Sequence, residues 1–268
     1  MGKLKLGILG NGYLADIIVE AGLKGMLDEY ELVGVLGRTR EKTELLAKKG
    51  GCRACSTIDE LLALAPDYVA EAASVQSVKD CGVKILASGA SMIVLSIGAF
   101  ADKEFYGQVK ETAAVHGTRV YIASGAVGGF DVLRTISLMG QAEAGIRTKK
   151  GPASLKGTPL FEERLMEDAQ ESHVFHGNAK EAISLLPTKV NVAVASSLAT
   201  VGPEDTRVDI YSVPGMVGDD HKITSQIEGV KAVVDIYSST SAIAGWSVVA
   251  VLQNIVSPHC ILGGNGHV

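Results

Sequence analysis

Three small residues follow the first apolar run of the chain, and their spacing is typical of a phosphate-binding turn. Gly10, Gly12 and Ala15 form a G-x-G-x-x-A pattern between the apolar segment 5–9 and an apolar helical pattern. The first glycine permits a tight turn, and the second leaves room for a pyrophosphate beside the helix amides. The triplet alone is a weak signal, but its place between a strand and a helix strengthens it. We expect these cofactor contacts: Gly10, Gly12, Tyr13, Leu14 and Ala15.

The end of the second predicted strand bears on the choice between NAD and NADP. An NAD site usually has Asp or Glu there to bind the ribose hydroxyls, but this chain reads VLGRTR at 35–40. Arg38 and Arg40 are suited to a 2′-phosphate, and Thr39 adds a hydroxyl. We therefore expect NADP, with NAD as the alternative. Arg38 could instead stack on adenine or cap the next helix.

Two further segments of small residues are expected to line a ligand crevice. The segment EAAS at 71–74 ends the fourth predicted strand, and such a crevice forms at the carboxyl ends of parallel strands. The segment SGAVGG at 124–129 follows the last strand of the first domain and would leave backbone N–H groups free for a carboxylate or the nicotinamide amide. A glycine-rich hinge is the alternative. We assign Ala72, Ala73, Ser74 and Ala126 to the cofactor, and Ser124 and Gly125 to the substrate.

The order of the elements predicts two domains. Short apolar strands alternate with helical patterns over residues 1–123, which predicts a doubly wound parallel sheet of the Rossmann type. Beyond this point the strands lengthen and alternate, which predicts an α+β catalytic domain with an open, mostly antiparallel sheet at 124–239. A helix of the second domain is expected to begin near the N-cap Asn178, with Glu181 three residues later. A helix within 240–262 is expected to pack back on the first domain.

Composition excludes several classes of protein. The chain has 268 residues, 47% of them apolar, and a net charge of −5, so neither disorder nor a nucleic-acid partner is expected. No apolar run reaches the length of about 18 residues that a membrane span needs. The first strand begins at the N-terminus, which leaves no place for a signal peptide and predicts a cytoplasmic protein. Cys52 and Cys55 lack a second pair, so we expect two thiols on a minor strand.

Six histidines could supply acid–base chemistry. His221 follows a Gly-Asp-Asp turn, where a general base and an exposed turn residue are both open interpretations. His173 and His176 are three residues apart, and on a strand residues with this spacing should point to opposite faces. We therefore expect no metal site.

Several stretches resemble the L-aspartate dehydrogenase family across essentially the whole chain. They are the fingerprint at 10–15, PDYVAEAAS at 66–74, LSIGAFAD at 95–102, YIASGAVGGFDVL at 121–133, FHGNAKEAISLLPTKVNVAVASSLA at 175–199, HKI at 221–223 and TSAIAGWSVVAVL at 240–252. The resemblance implies a Rossmann domain, an α/β catalytic domain and a homodimer. It also implies reversible oxidative deamination of aspartate with NAD or NADP, through iminosuccinate.

The resemblance also assigns roles within the second domain. His221 matches the catalytic position of the family. From their adjacency to His221, we expect Asp219 or Asp220 to orient the ring and raise its pKa.

Lys189 and Asn191 are the main candidates for the second carboxylate of a dicarboxylic substrate, and Lys150 and Arg134 are further candidates. Lys189 and Asp219 stand where the family usually has Asn, which puts the identity of the substrate in question. The alternatives are a dehydrogenase or imine reductase of the same scaffold with another amino- or oxo-acid substrate, and a non-catalytic dinucleotide-binding regulator.

Overall fold

The computed structural model describes residues 2–187 and 190–258, which form two units. The described residues up to Gly125, together with those from Ala242 onward, form the first unit, and Ala126–Ser241 form the second apart from the two undescribed positions. Lys189 and residues 259–262 of the predicted C-terminal helix lie outside the described residues. Within the described residues, no helix combines the length and the apolar character needed to cross a membrane.

The first unit contains the predicted doubly wound parallel sheet. Its strands are β1 (Leu4–Leu9), β2 (Tyr30–Leu36), β3 (Arg53–Cys55), β4 (Tyr68–Glu71), β5 (Ser91–Val94) and β6 (Val120–Ile122). Its first five helices are α1 (Tyr13–Leu23), α2 (Arg40–Gly50), α3 (Ile58–Leu62), α4 (Val75–Ala87) and α5 (Lys103–His116). The strand order is β3-β2-β1-β4-β5-β6, so the order reverses between β1 and β4. A dinucleotide binds at this switch point in such sheets.

The second unit is built on a five-stranded mixed sheet. It contains α6 (Phe130–Met139), β7 (Glu143–Lys150), β8 (Ser172–Asn178), α7 (Ala179–Leu185), α8 (Asn191–Leu198), β9 (Arg207–Ser212), β10 (Asp219–Ile227) and β11 (Val230–Ser238). The strand order is β11-β10-β7-β9-β8. The pairs β10/β11, β10/β7 and β8/β9 are antiparallel, and β7/β9 is parallel, so the expected mostly antiparallel sheet is confirmed.

Sequence patterns missed two strands and one helix of this unit. Strand β7 has charged residues at four of its eight positions, Glu143, Arg147, Lys149 and Lys150, and these obscure its apolar alternation. Strand β8 has a bulge that breaks the period of two. Helix α6 begins directly after the glycine-rich segment 124–129, and the sequence pattern shows no boundary between the two. By contrast, the predicted N-cap Asn178 forms a capping box with Glu181 at the start of α7.

The last described helix, α9 (Ala242–Val256), belongs to the first unit and packs against α1. Gly245 permits this packing, because a Cβ there would lie 2.9 Å from the Ile17 side chain. The Tyr30 hydroxyl donates to the Leu252 carbonyl at 2.8 Å and joins β2 to the same helix. Val248 and Leu252 are fully buried in the core of this unit.

Candidate active site

The glycine turn after β1 is fixed at the switch point of the parallel sheet. The Gly10 amide donates to the Leu36 carbonyl at 2.7 Å, and the Ala72 amide donates to the Leu9 carbonyl at 2.8 Å. Gly10 has φ +137°, and a Cβ there would overlap the Ala72 carbonyl. A Cβ at Gly12, the N-cap of α1, would meet no atom within 4 Å. The turn is thus closed on the sheet side and open beside the helix N-terminus, as a bound pyrophosphate requires.

Asn11, between the two glycines, is a residue that the sequence pattern did not single out. Its Nδ2 donates to the Thr39 carbonyl at 2.8 Å and to Thr43 Oγ1 at 2.9 Å. Gly37 lies against it, since a Cβ at that position would overlap the Asn11 side chain. This contact joins the glycine turn to the segment after β2, where the cofactor-selecting residues were predicted.

The two arginines of that segment have different surroundings. Arg40 Nε pairs with Glu44 Oε1 at 2.5 Å, and its Nη1 donates to Ser56. Arg38 is exposed and has no ion pair within the described part of the chain. Thr39 is the N-cap of α2, but its side chain makes no capping bond. Arg38 and Thr39 are therefore available to a ligand, whereas Arg40 already has partners.

Glu71 holds the ends of β4 and β5 together, a role that the sequence did not predict. It is fully buried, and its Oε1 accepts from the Ala73 amide and the Ser96 hydroxyl, both at 2.8 Å. Its Oε2 accepts from the amides of Leu95 and Ser96 at 3.1 and 2.8 Å. Burial raises the pKa of this carboxyl group, although the four hydrogen bonds oppose the shift. Ala72 and Ala73 thereby keep a fixed position beside the glycine turn.

Ser74 and the 124–129 segment are structured by local hydrogen bonds. Ser74 is the N-cap of α4, and its Oγ accepts from the Ser77 amide at 3.1 Å. The Gly125 amide donates to Ser247 Oγ of α9 at 3.0 Å. The Gly125 amide is therefore not among the backbone N–H groups of this segment that are free for a ligand. Ser124 is half-buried in the first unit, and Ala126 begins the second.

His221 lies on β10 within the second unit, and its side chain is only 2% exposed. Its Nδ1 lies 2.9 Å from Oγ1 of Thr148, the residue directly opposite it on β7. Helix α6 packs against β10. The interpretation of His221 as an exposed turn residue is therefore wrong.

A second cross-strand pair lies two residues away on the same face of the sheet. Lys150 Nζ contacts Asp219 Oδ2 at 2.6 Å, and the Lys150 side chain is 4% exposed. The same Asp219 oxygen is 3.8 Å from His221 Nε2. Asp220 is in the intervening position and faces the other side of the sheet. Of the two aspartates, Asp219 thus faces the imidazole, while Thr148 contacts the other ring nitrogen.

Burial and Lys150 set the protonation state of His221. Burial, followed by the Lys150 ammonium, lowers the pKa of His221 to about 4, and the Asp219 carboxylate raises it by a smaller amount. The expectation of a raised pKa is therefore wrong in its net direction, although Asp219 acts with the expected sign. The ring is neutral at pH 7 and has an adjacent carboxylate to stabilise its protonated form.

Four other predicted features have different outcomes. Asn191 is the first residue of α8 and is half-buried, while Lys189 lies outside the described residues. The expectation that His173 and His176 face opposite sides of a strand is wrong, because both contact Asp209 on one face.

The two neighbouring cysteines lie at the minor strand β3: Cys55 is its last residue, and Cys52 directly precedes its first residue. Burial raises the pKa of the Cys52 thiol to about 11 and also raises that of Cys55, so neither has the lowered pKa of a reactive thiol.

Comparisons with known proteins agree across the two units. A family model described as aspartate dehydrogenase, C-terminal, matches residues 131–255, and one described as homoserine dehydrogenase, NAD binding domain, matches residues 6–123. The L-aspartate dehydrogenase of Methanococcus maripaludis is 33% identical over 264 residues, which cover 95% of this chain and 98% of the relative. That of Methanosarcina mazei is 33% identical with the same coverage. The solved aspartate dehydrogenase of Thermotoga maritima has a TM-score of 0.77 at 25% identity, covering 96% of this chain and 99% of that one.

Proposed function

This chain belongs to the L-aspartate dehydrogenase family, and on that premise we propose that it catalyses the reversible NAD(P)-dependent oxidative deamination of L-aspartate. In the forward direction the substrate loses a hydride from its α-carbon and a proton from its amine, which gives iminosuccinate. Water then adds to the imine, and oxaloacetate and ammonia are released. The observation that carries the proposal is the buried, neutral His221 between Thr148 and the Asp219–Lys150 pair.

The residues around the glycine turn fit a nicotinamide dinucleotide. When bound, that cofactor supplies the acceptor for the substrate's hydride. Gly10, Gly12 and the start of α1 (Tyr13, Leu14 and Ala15) would hold the pyrophosphate. Ala72, Ala73, Ser74 and Ala126 would border the ribose and the nicotinamide.

NADP is the form that we propose as preferred. Arg38 has no ion-pair partner within the described residues, and its guanidinium would bind a 2′-phosphate, with the Thr39 hydroxyl adding a hydrogen bond. No carboxylate occurs at 35–40, where a site for the ribose hydroxyls of NAD would place one.

His221 is proposed as the general base and acid. For Nε2 to accept a proton, Nδ1 must carry the other hydrogen and donate it to Thr148 Oγ1, which fixes the tautomer. The imidazolium that forms is then stabilised by Asp219, whose carboxylate is held by Lys150. The same ring can activate the water that attacks the imine and return its proton to the departing ammonia.

Substrate contacts are proposed for Ser124, Gly125, Lys189 and Asn191. A dicarboxylate needs hydrogen-bond donors or cations at both ends. The Ser124 hydroxyl and the Asn191 amide are suitable donors, and Lys189 would supply the cation. Gly125 would contribute through the shape of the segment, because its amide is already bound to Ser247.

The activity is tested directly with purified protein. L-Aspartate with NADP at alkaline pH should produce NADPH absorbance at 340 nm, and oxaloacetate with ammonia should consume it. A panel of other amino acids and 2-oxo acids tests the same-scaffold alternative. Preference for a non-acidic substrate would overturn the aspartate assignment, and tight NADPH binding without turnover on any substrate would support the regulator.

Assembly and location are also proposed from the family and the composition. We propose a homodimer formed through the β11 edge of the mixed sheet, on the face opposite His221, where Val233 and Tyr237 of β11 are 48% and 61% exposed. Light scattering should give twice the chain mass, and Val233→Glu should shift the protein to monomer. A cytoplasmic location stays a prediction that cell fractionation can test.

A further inference from the structure

A cluster of three side chains on the mixed sheet has no role in the proposed reaction. His173 and His176 are on β8, the edge strand, and Asp209 is on the neighbouring β9. Asp209 Oδ1 lies 3.1 Å from His173 Nε2 and 2.8 Å from His176 Nδ1. We propose that the His173–His176–Asp209 cluster is a binding site for a divalent transition-metal ion such as Zn²⁺.

A β-bulge is what brings the two histidines to one face. His176 pairs with Asp209 and His173 pairs with Tyr211, while the β8 register shifts between them at Val174. Because Asp209 and Tyr211 are two residues apart, they share a face of β9, and both histidines share it with them. Without the extra residue, His173 would point to the opposite face.

The geometry and chemical types of the three groups fit a transition metal. One potential ligand atom from each residue lies within 4.8 Å of the other two, so one ion can reach all three with little movement of the side chains. Two imidazole nitrogens and one carboxylate oxygen suit zinc, nickel, copper or cobalt, with water completing the coordination. Magnesium and calcium prefer sets made of oxygen alone.

Neighbouring side chains orient these ligands before any ion binds. The His173 ring stacks on Tyr211, with centroids 4.5 Å apart and an interplanar angle of 11°. Arg207 Nε lies 3.4 Å from Asp209 Oδ2, which leaves Oδ1 directed at the two imidazoles. The Arg207 charge opposes a bound cation, but its contact with Oδ2 restrains the carboxylate as partners outside the coordination sphere do in metal sites.

The site is separate from the proposed chemistry. His221 is on the opposite face of the sheet, beside Thr148, whereas Asp209 pairs with Arg147 on the other face of β7. The exposed apolar residues of β11 are at the other edge of the sheet. A bound ion would join edge strand β8 to β9 and stabilise the second unit in proportion to the logarithm of its free concentration.

Metal-binding measurements on the full chain test the proposal. After chelator treatment and its removal, calorimetric titration with Zn²⁺ should show one site per chain, and Mg²⁺ should show none. His173→Asn, His176→Asn and Asp209→Asn should each weaken Zn²⁺ binding by at least about tenfold. His116→Asn, on α5 of the first unit, is the matched control and should leave the affinity unchanged. Circular dichroism of each variant verifies that the fold is retained.

Cobalt spectroscopy distinguishes this cluster from the thiols. Co²⁺ should give a visible d–d band without the near-ultraviolet charge-transfer band of a thiolate ligand, and His176→Asn should abolish it. Equal binding by all three cluster variants and the parent protein, a thiolate band, or no Zn²⁺ binding below millimolar concentration would each overturn the proposal.

Discussion

Thr148 and His221 are directly opposed on antiparallel strands, and their side chains meet at 2.9 Å between Oγ1 and Nδ1 in a buried position. This contact holds Nδ1 in place, and the other ring nitrogen, Nε2, faces Asp219. Thr148 is thus a positioning residue whose effect on the reaction passes through the orientation and tautomer of His221.

Thr148→Val should lower kcat by roughly 10- to 100-fold, because a buried ring nitrogen loses its partner at a cost of about 1–3 kcal/mol. Thr148→Ser should keep most of the activity, since it retains the hydroxyl. Thr224→Val is the control, because Thr224 is on β10 opposite Gly145 and not beside the His221 ring, and this variant should keep the parent's kcat. Steady-state kinetics with aspartate and NADP provide the measurement, and a Val variant as active as the Ser variant would contradict the positioning role.

Asp219→Asn should move the acid limb of the kcat/KM profile to lower pH and reduce kcat. The carboxylate raises the pKa of His221 against burial and Lys150, so its removal lowers that pKa further. Asp220→Asn, on the other face of β10, should leave the limb in place. A limb that moves to higher pH in Asp219→Asn would show that another group controls the profile.

Arg38→Ala should reduce kcat/KM for NADP by about 10- to 100-fold and leave that for NAD nearly unchanged, because a charge-assisted contact is worth about 1.5–3 kcal/mol. Arg40→Ala removes a guanidinium that is already bound by Glu44 and Ser56, so kcat/KM should change by the same factor for NADP and for NAD. The ratio of kcat/KM values for the two cofactors reports the outcome. Loss of NADP preference in Arg40→Ala alone would transfer the role to that residue.

Gly10→Ala should abolish cofactor binding and destabilise the protein, because the new Cβ would overlap the Ala72 carbonyl at a φ of +137°. Gly22→Ala, in α1 with nothing within 4 Å of the new Cβ, should bind NADPH normally and be up to about 1 kcal/mol more stable. Fluorescence titration with NADPH and urea unfolding measure the two effects. Normal NADPH affinity in Gly10→Ala would refute the assignment of the turn.

The buried His221 should make the protein less stable in mild acid. Its pKa is lowered from 6.5 to about 4 on folding, so between these values the unfolded chain binds the extra proton and stability falls as the pH decreases. The loss attributable to His221 between pH 7 and pH 5 is about 2 kcal/mol. Urea unfolding at pH 7 and pH 5 measures this loss. Between the two pH values, the free energy of unfolding of His221→Asn should fall by about 2 kcal/mol less than that of the parent. That of His116→Asn should fall as much as that of the parent. Equal losses in His221→Asn and the parent would contradict the buried, neutral state.

Local sequence determined the features that depend on neighbours along the chain. The spacing of Gly10 and Gly12 after an apolar strand predicted the tight turn between β1 and α1, and the alternation of strands and helices predicted the parallel sheet. Asn178 and Glu181 predicted the start of α7, because a capping box is formed entirely within four residues. The resemblance of the ordered motifs identified the family and pointed to His221.

Only the tertiary structure decided which groups meet across strands. Thr148 and Lys150 are on β7, a strand hidden by its charged residues, so no pattern placed them beside His221 or predicted that its pKa would fall. The bulge at Val174 reversed the expected face of His173, since one extra residue shifts every side chain before it to the other side of the sheet. Strand pairing and burial act between residues distant in sequence, and these decide protonation and ligand geometry.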